Sequence, residues 1–357
     1  MMTFKAKSLF LATALAFTCV ASTTAWAEPE TLRVLGNFSG NKKQVDLVER
    51  PFFTNLAKDT GISSKISYSP MDLVNVKAAD AMRLLKSGAF DIASVQIGMA
   101  ARDDPFLEGI DLAGVATNVA DQRKVMEAIR DEFDKEVQQR FNVKTLALWP
   151  FGPQILFCKD PIEKLEDFKG KKIRTFTTSM ATLVQGLGGS PVTLQYAEVY
   201  LALQRGVADC GVTASSAGNG GKWPEVTKYL VPLAVSNSMQ GHFINLDTWK
   251  QFSAEKQQAL TKAFKKMESD MWDLAVNVDK DATNCNTGSA DCKEHTKYNM
   301  TLNPVTPAEL AQLKGVVNRQ VLPQWAENCN SVIPGCSDRW LSTVGKAMGY
   351  GRISGVK

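Results

Sequence analysis

Two histidines, seven cysteines and an arginine at the end of a strand-like run are the residues with most chemistry to offer in this chain of 357 residues. His242 and His295 are too few for histidine-based proton transfer or a His-rich metal centre. No G-x-S-x-G nucleophile elbow and no H-E-x-x-H pair is present. Gly218-Asn-Gly-Gly-Lys222 resembles a phosphate loop only superficially, because Ser216 stands where the first glycine belongs and Trp223 where Ser or Thr would hold Mg²⁺. Gly186, Gly188 and Gly189 follow a helical pattern rather than a strand, so they stop a helix and do not cradle a dinucleotide. Cys285, Cys292 and His295 have the wrong spacing for a zinc knuckle. The chain is therefore expected to be no enzyme, with neither cofactor nor metal. Arg174 is different: a guanidinium fork on a strand end can hold a carboxylate through two charge-assisted hydrogen bonds. Lys171 and Lys172 precede it, so the same run also suits a surface strand.

The cysteines depend on the N-terminus. Residues 1–27 read as a cleaved export signal, with Lys5 and Lys7 before an apolar run and Ala25-Trp26-Ala27 at the cleavage site. The apolar run is shorter than the ~20 residues that a span needs. Cleavage removes Cys19 and both lysines, leaving six cysteines and lowering the formal charge from +4 to +2. An even cysteine count in an exported chain suits disulfides. Cys285/Cys292 and Cys329/Cys336 share one spacing and sit among loop-forming residues. Local pairing of each, which leaves Cys158 for Cys210, is the favoured choice among ~15 possible connectivities. The nearly balanced charge requires no nucleic-acid-binding face.

The elements that would position Arg174 alternate along the chain. Strands are expected at 31–35, 62–68, 90–95 and 143–148, with helices at 42–60, 78–86 and 121–141 between them, the last capped by Asp121. A second series follows: strands at 155–158, 172–176, 192–194 and 208–212, with helices at 179–187 and 197–204. Residues 239–245 read as a strand returning to the first series. Residues 253–281 read as one long helix, ~40 Å at ~1.5 Å per residue, long enough to lie across two units. One more helix and a Cys-closed loop complete the tail. This order predicts an α/β protein with parallel sheets. Its parts are residues 28–150 (first part of lobe I), 151–238 (lobe II), 239–284 (the return strand and spanning helix) and 285–357 (a C-terminal helical segment).

Two runs carry a resemblance. Leu165-Glu-Asp-Phe-Lys-Gly-Lys-Lys-Ile-Arg174, then Gly189-Ser-Pro-Val-Thr-Leu and Glu198-Val-Tyr-Leu-Ala-Leu-Gln204-Arg-Gly-Val-Ala-Asp209, resemble the solute-binding proteins of tripartite ATP-independent periplasmic (TRAP) transporters, of the dicarboxylate-binding (DctP) type. The resemblance implies a two-lobed periplasmic-binding-protein-like fold, a ligand cleft between the lobes and a long helix spanning both. It implies capture of a small organic acid in the periplasm and delivery to TRAP membrane permease subunits. It places Arg174 on the ligand carboxylate. Where many members carry a second arginine, this chain has Gln154, which offers hydrogen bonds without charge. Tyr196 takes the place of a pocket aromatic, and Thr213 of a ligand-facing Asn or Glu.

Strand-end loops at Asn37-Phe38 and Gln96 are expected to face the cleft. With Trp149, Phe151, Trp223 and Phe243 they suggest an aromatic wall around a single cation, suited to an aromatic or hydrophobic monocarboxylate. Two readings compete: a binding protein serving a sensor or an ABC permease, and an exported two-lobed enzyme. The second needs a nucleophile or metal cluster that the sequence does not supply.

Overall fold

The computed structural model describes residues 2–3 and 27–353, so the export-signal reading falls almost wholly outside the described residues. Two sheets form separate lobes. The first contains β1 (Thr31–Gly36), β2 (Lys65–Pro70), β3 (Ile92–Gln96) and β4 (Val143–Pro150). The second contains β5 (Gln154–Cys158), β6 (Lys172–Thr175), β7 (Ser190–Thr193), β8 (Cys210–Ala214) and β9 (Tyr229–Val231). The chain then returns to the first sheet as β10 (Met239–Asn245) and later adds β11 (Thr301–Leu302) to the second. Strand order is β2-β1-β3-β10-β4 in lobe I and β11-β9-β5-β8-β6-β7 in lobe II.

Neither sheet is all parallel, contrary to the expectation from strand–helix alternation. β10 runs antiparallel to both β3 and β4, and β5 runs antiparallel to β8 and β9. The cause is the double crossing between lobes. β4 leads into β5 and β9 leads into β10 without a helix, and a strand arriving from the other lobe enters in the reverse sense. Parallel pairing survives for β1 with β2 and β3, and for β6 with β7 and β8.

The crossing segments form a ribbon. Phe151 and Gly152 donate to the carbonyls of Ser238 and Asn237 at 3.1 Å each, and Gln154 donates to that of Ser236 at 2.8 Å. Gly152 sits at φ +134°, a conformation that residues with a Cβ rarely adopt. The long helix Ala254–Asn286 makes a third crossing, its N-terminus capped by the Ser253 hydroxyl. It runs 33 residues, or ~50 Å, five residues beyond the expected end. In lobe I, Trp272 donates to the Leu148 carbonyl at 2.9 Å; in lobe II, Asn219 donates to Asn286 at 2.8 Å.

Other boundaries shift in small ways. Asn118, not Asp121, caps the helix Val119–Phe141, its side chain accepting from the Asp121 N–H at 2.8 Å. The tail is longer and more helical than one helix and a loop. Residues 307–332 are helical through a π-turn at Val317–Val321, and Cys336–Trp340 opens a further helical run. Trp325 and Trp340 anchor this tail on lobe I through the carbonyls of Pro105 and Gly109. Val316 packs against Gly186 of lobe II. Three disulfides join Cys158–Cys210, Cys285–Cys292 and Cys329–Cys336, the favoured connectivity. Cys158 and Cys210 are direct partners across β5 and β8. No helix among the described residues is long and apolar enough to cross a membrane.

Candidate ligand-binding site

Parallel strands bring their C-terminal ends, and the loops that follow, to one edge of each sheet. In lobe II this edge carries Arg174 from β6 and Thr213 from β8. Antiparallel β5 brings its first residue, Gln154, to the same edge, opposite Ala214. In lobe I, β1 ends at Asn37 and Phe38, β3 ends at Gln96, and β10 begins beside them with Gln240 paired to Gln96. The two edges face each other across a cavity of about 360 Å³. Of the residues expected there, Arg174, Gln154, Tyr196, Thr213, Phe38, Gln96 and Phe151 line it.

Arg174 is 2% exposed. Its Nε donates to the Leu194 carbonyl at 3.0 Å and its Nη1 to the Val212 carbonyl at 2.7 Å. Those bonds fix the guanidinium on the ends of two neighbouring segments. Rings of Phe176 and Trp223 lie 4.9 and 5.9 Å from its central carbon. Among the described residues no carboxylate forms an ion pair with it, and burial pulls its pKa down to about 10. It therefore stays charged at neutral pH, held by dipoles and ring faces rather than by a counter-ion.

Three expected wall residues lie elsewhere. Trp223 is buried beneath the wall, stacked on Tyr196 with ring centroids 5.7 Å apart, and it supports the Tyr196 ring rather than touching the cavity. The Tyr196 hydroxyl, in turn, donates to the Ala217 carbonyl at 2.6 Å. Trp149 is fully buried in lobe I and donates its indole N–H to His242 Nδ1 at 3.2 Å. Phe243 follows a register shift in β10 and packs into the core against Phe133. All three sit close to the cleft in sequence but point into packed interior, where a large aromatic buries most area.

The Trp149–His242 contact has a consequence for the cleft. With Nδ1 accepting, His242 carries its proton on Nε2 and donates it to Glu49 at 2.8 Å. Glu49 is fully buried and also accepts from the Tyr68 hydroxyl at 2.8 Å and from the Asn37 backbone N–H at 3.0 Å. This network fixes the end of β1, and so the placement of Asn37 and Phe38. Asn37 Oδ1 accepts from the Phe38 N–H and from Asn41, each at 2.8 Å, while its Nδ2 is buried without a partner.

Sequence reasoning did not single out Met71, Met99 or Phe176, which add apolar wall, nor Ser238 and Gln240, which add polar wall. Ser238 sits in the crossing ribbon at φ +50°. Residues of these types carry no motif; their placement follows from the return of β10, which only the sheet order reveals.

Comparison with known proteins bears directly on this arrangement. The family described as bacterial extracellular solute-binding protein, family 7 (DctP), matches residues 57–328. The chain belongs to this family. A sialic acid-binding periplasmic protein, SiaP of Vibrio cholerae, is 28% identical over 192 residues, which are 52% of this chain and 59% of that protein. The ectoine-binding periplasmic protein TeaA of Halomonas elongata is 35% identical over 83 residues, 23% of this chain and 24% of that one. Among solved structures, a TRAP periplasmic solute-binding protein of Desulfovibrio salexigens with bound orotic acid superposes with a TM-score of 0.77 at 16% identity, covering 89% of this chain and all of that one. The Bordetella pertussis receptor DctP7, which binds pyroglutamic acid, gives 0.75 at 18% identity, covering 90% of this chain and all of that one. These likenesses establish the two-lobed fold of TRAP solute-binding proteins.

Within this family member, the one residue cluster of metal-ligating type found among the described residues is taken up otherwise. Asp281, Cys285 and His295 place ligand atoms within 4.8 Å of one another. Cys285 is bonded to Cys292, and His295 Nδ1 pairs with Asp281 at 2.6 Å, so the thiolates a zinc site would use are absent.

Proposed function

We propose that this TRAP solute-binding protein captures a small organic acid with one carboxylate and a ring or otherwise apolar body. On this reading an N-terminal signal exports it to the periplasm, and it delivers the acid to TRAP membrane permease subunits. The observation that carries the reading is Arg174: a buried, charged guanidinium with no counter-ion among the described residues, lining the cavity between the lobes. Two of its five N–H groups are engaged by carbonyls. The other three are available for a carboxylate, whose charge would offset the cost of burying the cation.

Gln154, where a second arginine would stand, adds no charge, which favours one carboxylate over two. Phe38, Phe151, Phe176 and Tyr196 supply ring faces for the rest of the molecule. A cavity of about 360 Å³ suits a molecule the size of one substituted ring. The ring acids named for the related structures, orotic and pyroglutamic acid, fit the same description. Closure follows from contacts to both lobes, because a ligand that touches both favours the closed arrangement by its differential affinity.

The test is the mass of whatever copurifies with the protein, followed by a thermal-shift panel of monocarboxylates and C4-dicarboxylates. A monocarboxylate should copurify or stabilise. Stabilisation by succinate or malate alone would overturn the single-carboxylate reading.

A further inference from the structure

The polar half of the cavity has a sign of its own. Gln96 and Gln240, paired across β3 and β10, both turn their amide N–H groups onto the Ser238 hydroxyl oxygen, at 3.0 and 3.4 Å. Gln154 turns its amide N–H onto the Gly152 carbonyl at 2.8 Å. Each side-chain amide has two donors on nitrogen and one acceptor oxygen. With the nitrogens directed into the crossing ribbon, three Oε1 atoms, in residues that line the cavity, have no hydrogen-bond partner among the described residues. The Ser238 hydroxyl, its lone pairs occupied by two amides, keeps only its proton to offer.

Gln154, Ser238 and Gln240 are 5% exposed or less, so a ligand body pressed against them displaces the water that reaches them. A purely hydrocarbon body laid against them would bury acceptors unpaired and lose their hydration without replacement. On the lobe I side, the unpartnered Asn37 Nδ2 supplies one more donor. The wall is thus acceptor-rich, with two isolated donors.

Resting on the carboxylate reading above, we infer that Gln96, Gln154 and Gln240 select an acid whose body carries a hydroxyl or ring N–H group, and reject the hydrocarbon acid of the same shape. Arg174 takes the carboxylate; the glutamine oxygens accept from the second polar group; Asn37 or Ser238 donates to any carbonyl beside it.

Two matched pairs of probes test this by isothermal titration with the full exported chain: pyroglutamate against cyclopentanecarboxylate, and 3-hydroxybenzoate against benzoate. The donor-bearing member of at least one pair should bind more tightly by about tenfold, the effect of one to two hydrogen bonds. Gln240→Met and Gln154→Met should each lower that preference about fivefold to tenfold, both by weakening the donor-bearing acid and by tightening the hydrocarbon partner, which no longer buries that acceptor. An unaltered melting temperature of the ligand-free variant, with retained binding of the hydrocarbon partner, reports that the variant is folded. Equal affinity within both pairs, or a preference that survives in both variants, overturns this inference while the carboxylate reading stands. Binding of both pairs that is indifferent to Arg174→Ala overturns the carboxylate reading, and this inference with it.

Discussion

Replacing Arg174 separates a binding cation from a structural one. In Arg174→Ala the ligand loses two charge-assisted hydrogen bonds, each worth ~1.5–3 kcal/mol, for a total of about 3–6 kcal/mol. At 1.4 kcal/mol per decade that is about 10²- to 10⁴-fold in Kd. Arg174→Lys keeps the charge but loses the fork and both carbonyl anchors, so about a tenfold loss is expected. The ligand-free protein should respond far less. Alanine leaves the Leu194 and Val212 carbonyls without donors, at ~1–3 kcal/mol each. It also removes a buried cation without a counter-ion, whose desolvation offsets that cost. The net change should stay within about 2 kcal/mol, or ~4 °C in melting temperature for a chain of this size. Titration of a monocarboxylate into the parent and both variants, with melting curves of each ligand-free protein, measures both quantities. Undiminished affinity alongside a collapse in melting temperature would refute the reasoning, because it would make Arg174 a scaffold residue.

Other changes have expected outcomes of their own. Gln154→Arg would restore a second guanidinium beside Arg174, and competition titrations should then show preference moving toward a C4-dicarboxylate by tenfold or more. Removing the Cys158–Cys210 bridge as the double serine variant should cost about 4 kcal/mol by the loop-entropy relation for a separation of 52 residues, read from denaturant midpoints. Asp279 lies against Ser215 with its Oδ1 unpartnered, and burial raises its pKa from 3.8 to about 6. A raised pKa means stability that is full below the unfolded value and lost as pH rises through 6. Asp279→Asn should therefore stabilise by ~1–3 kcal/mol at pH 7, and the gain should vanish near pH 4, checked by melting curves across that range.

Arg174 was legible in the sequence because a cation at the end of a short strand is unusual in chemistry and sits in a recognisable run. The disulfides were legible because matching spacings in loop-forming sequence leave few sensible partners. Helix ends were legible where a capping residue or glycine marks them, as at Ser253 and Gly61. Strand direction was not, because alternation of strand and helix is a local signal whereas direction depends on which lobe the chain has just left. The same blindness explains Trp149 and Phe243, whereas Trp223 opens a 3₁₀ turn and packs beneath Tyr196. An aromatic residue on a strand beside a cleft has one face to choose, and a register shift such as that between His242 and Phe243 decides it. Ser238 and Gln240 lay in a segment with no motif, and they became visible only once β10 was seen to pair with β3.

The division of labour between the lobes follows from these placements. Lobe II holds the buried cation, and one of its two carbonyl anchors, Val212, lies on β8, which the Cys158–Cys210 bridge ties to β5. On the proposed reading a carboxylate would find its charged partner on lobe II. Lobe I presents Asn37, held through Glu49 and His242 by bonds deep in its core, together with Gln96 and Gln240. None of these side chains carries charge, so they add little to capture, but they gain partners only when the lobes meet. Asp111 braces the crossing ribbon: it accepts from the Ser236 hydroxyl and from the N–H groups of Asn237 and Met239, each at 3.0 Å, along one strand of it. The ribbon is thereby anchored to lobe I through Asp111, and the conformational freedom of Gly152 lies on the opposite strand. On the proposed reading the charge resides in lobe II, while the accepting amides are divided between Gln154 of lobe II and Gln96 and Gln240 of lobe I, so a ligand that engages both sets favours the closed arrangement.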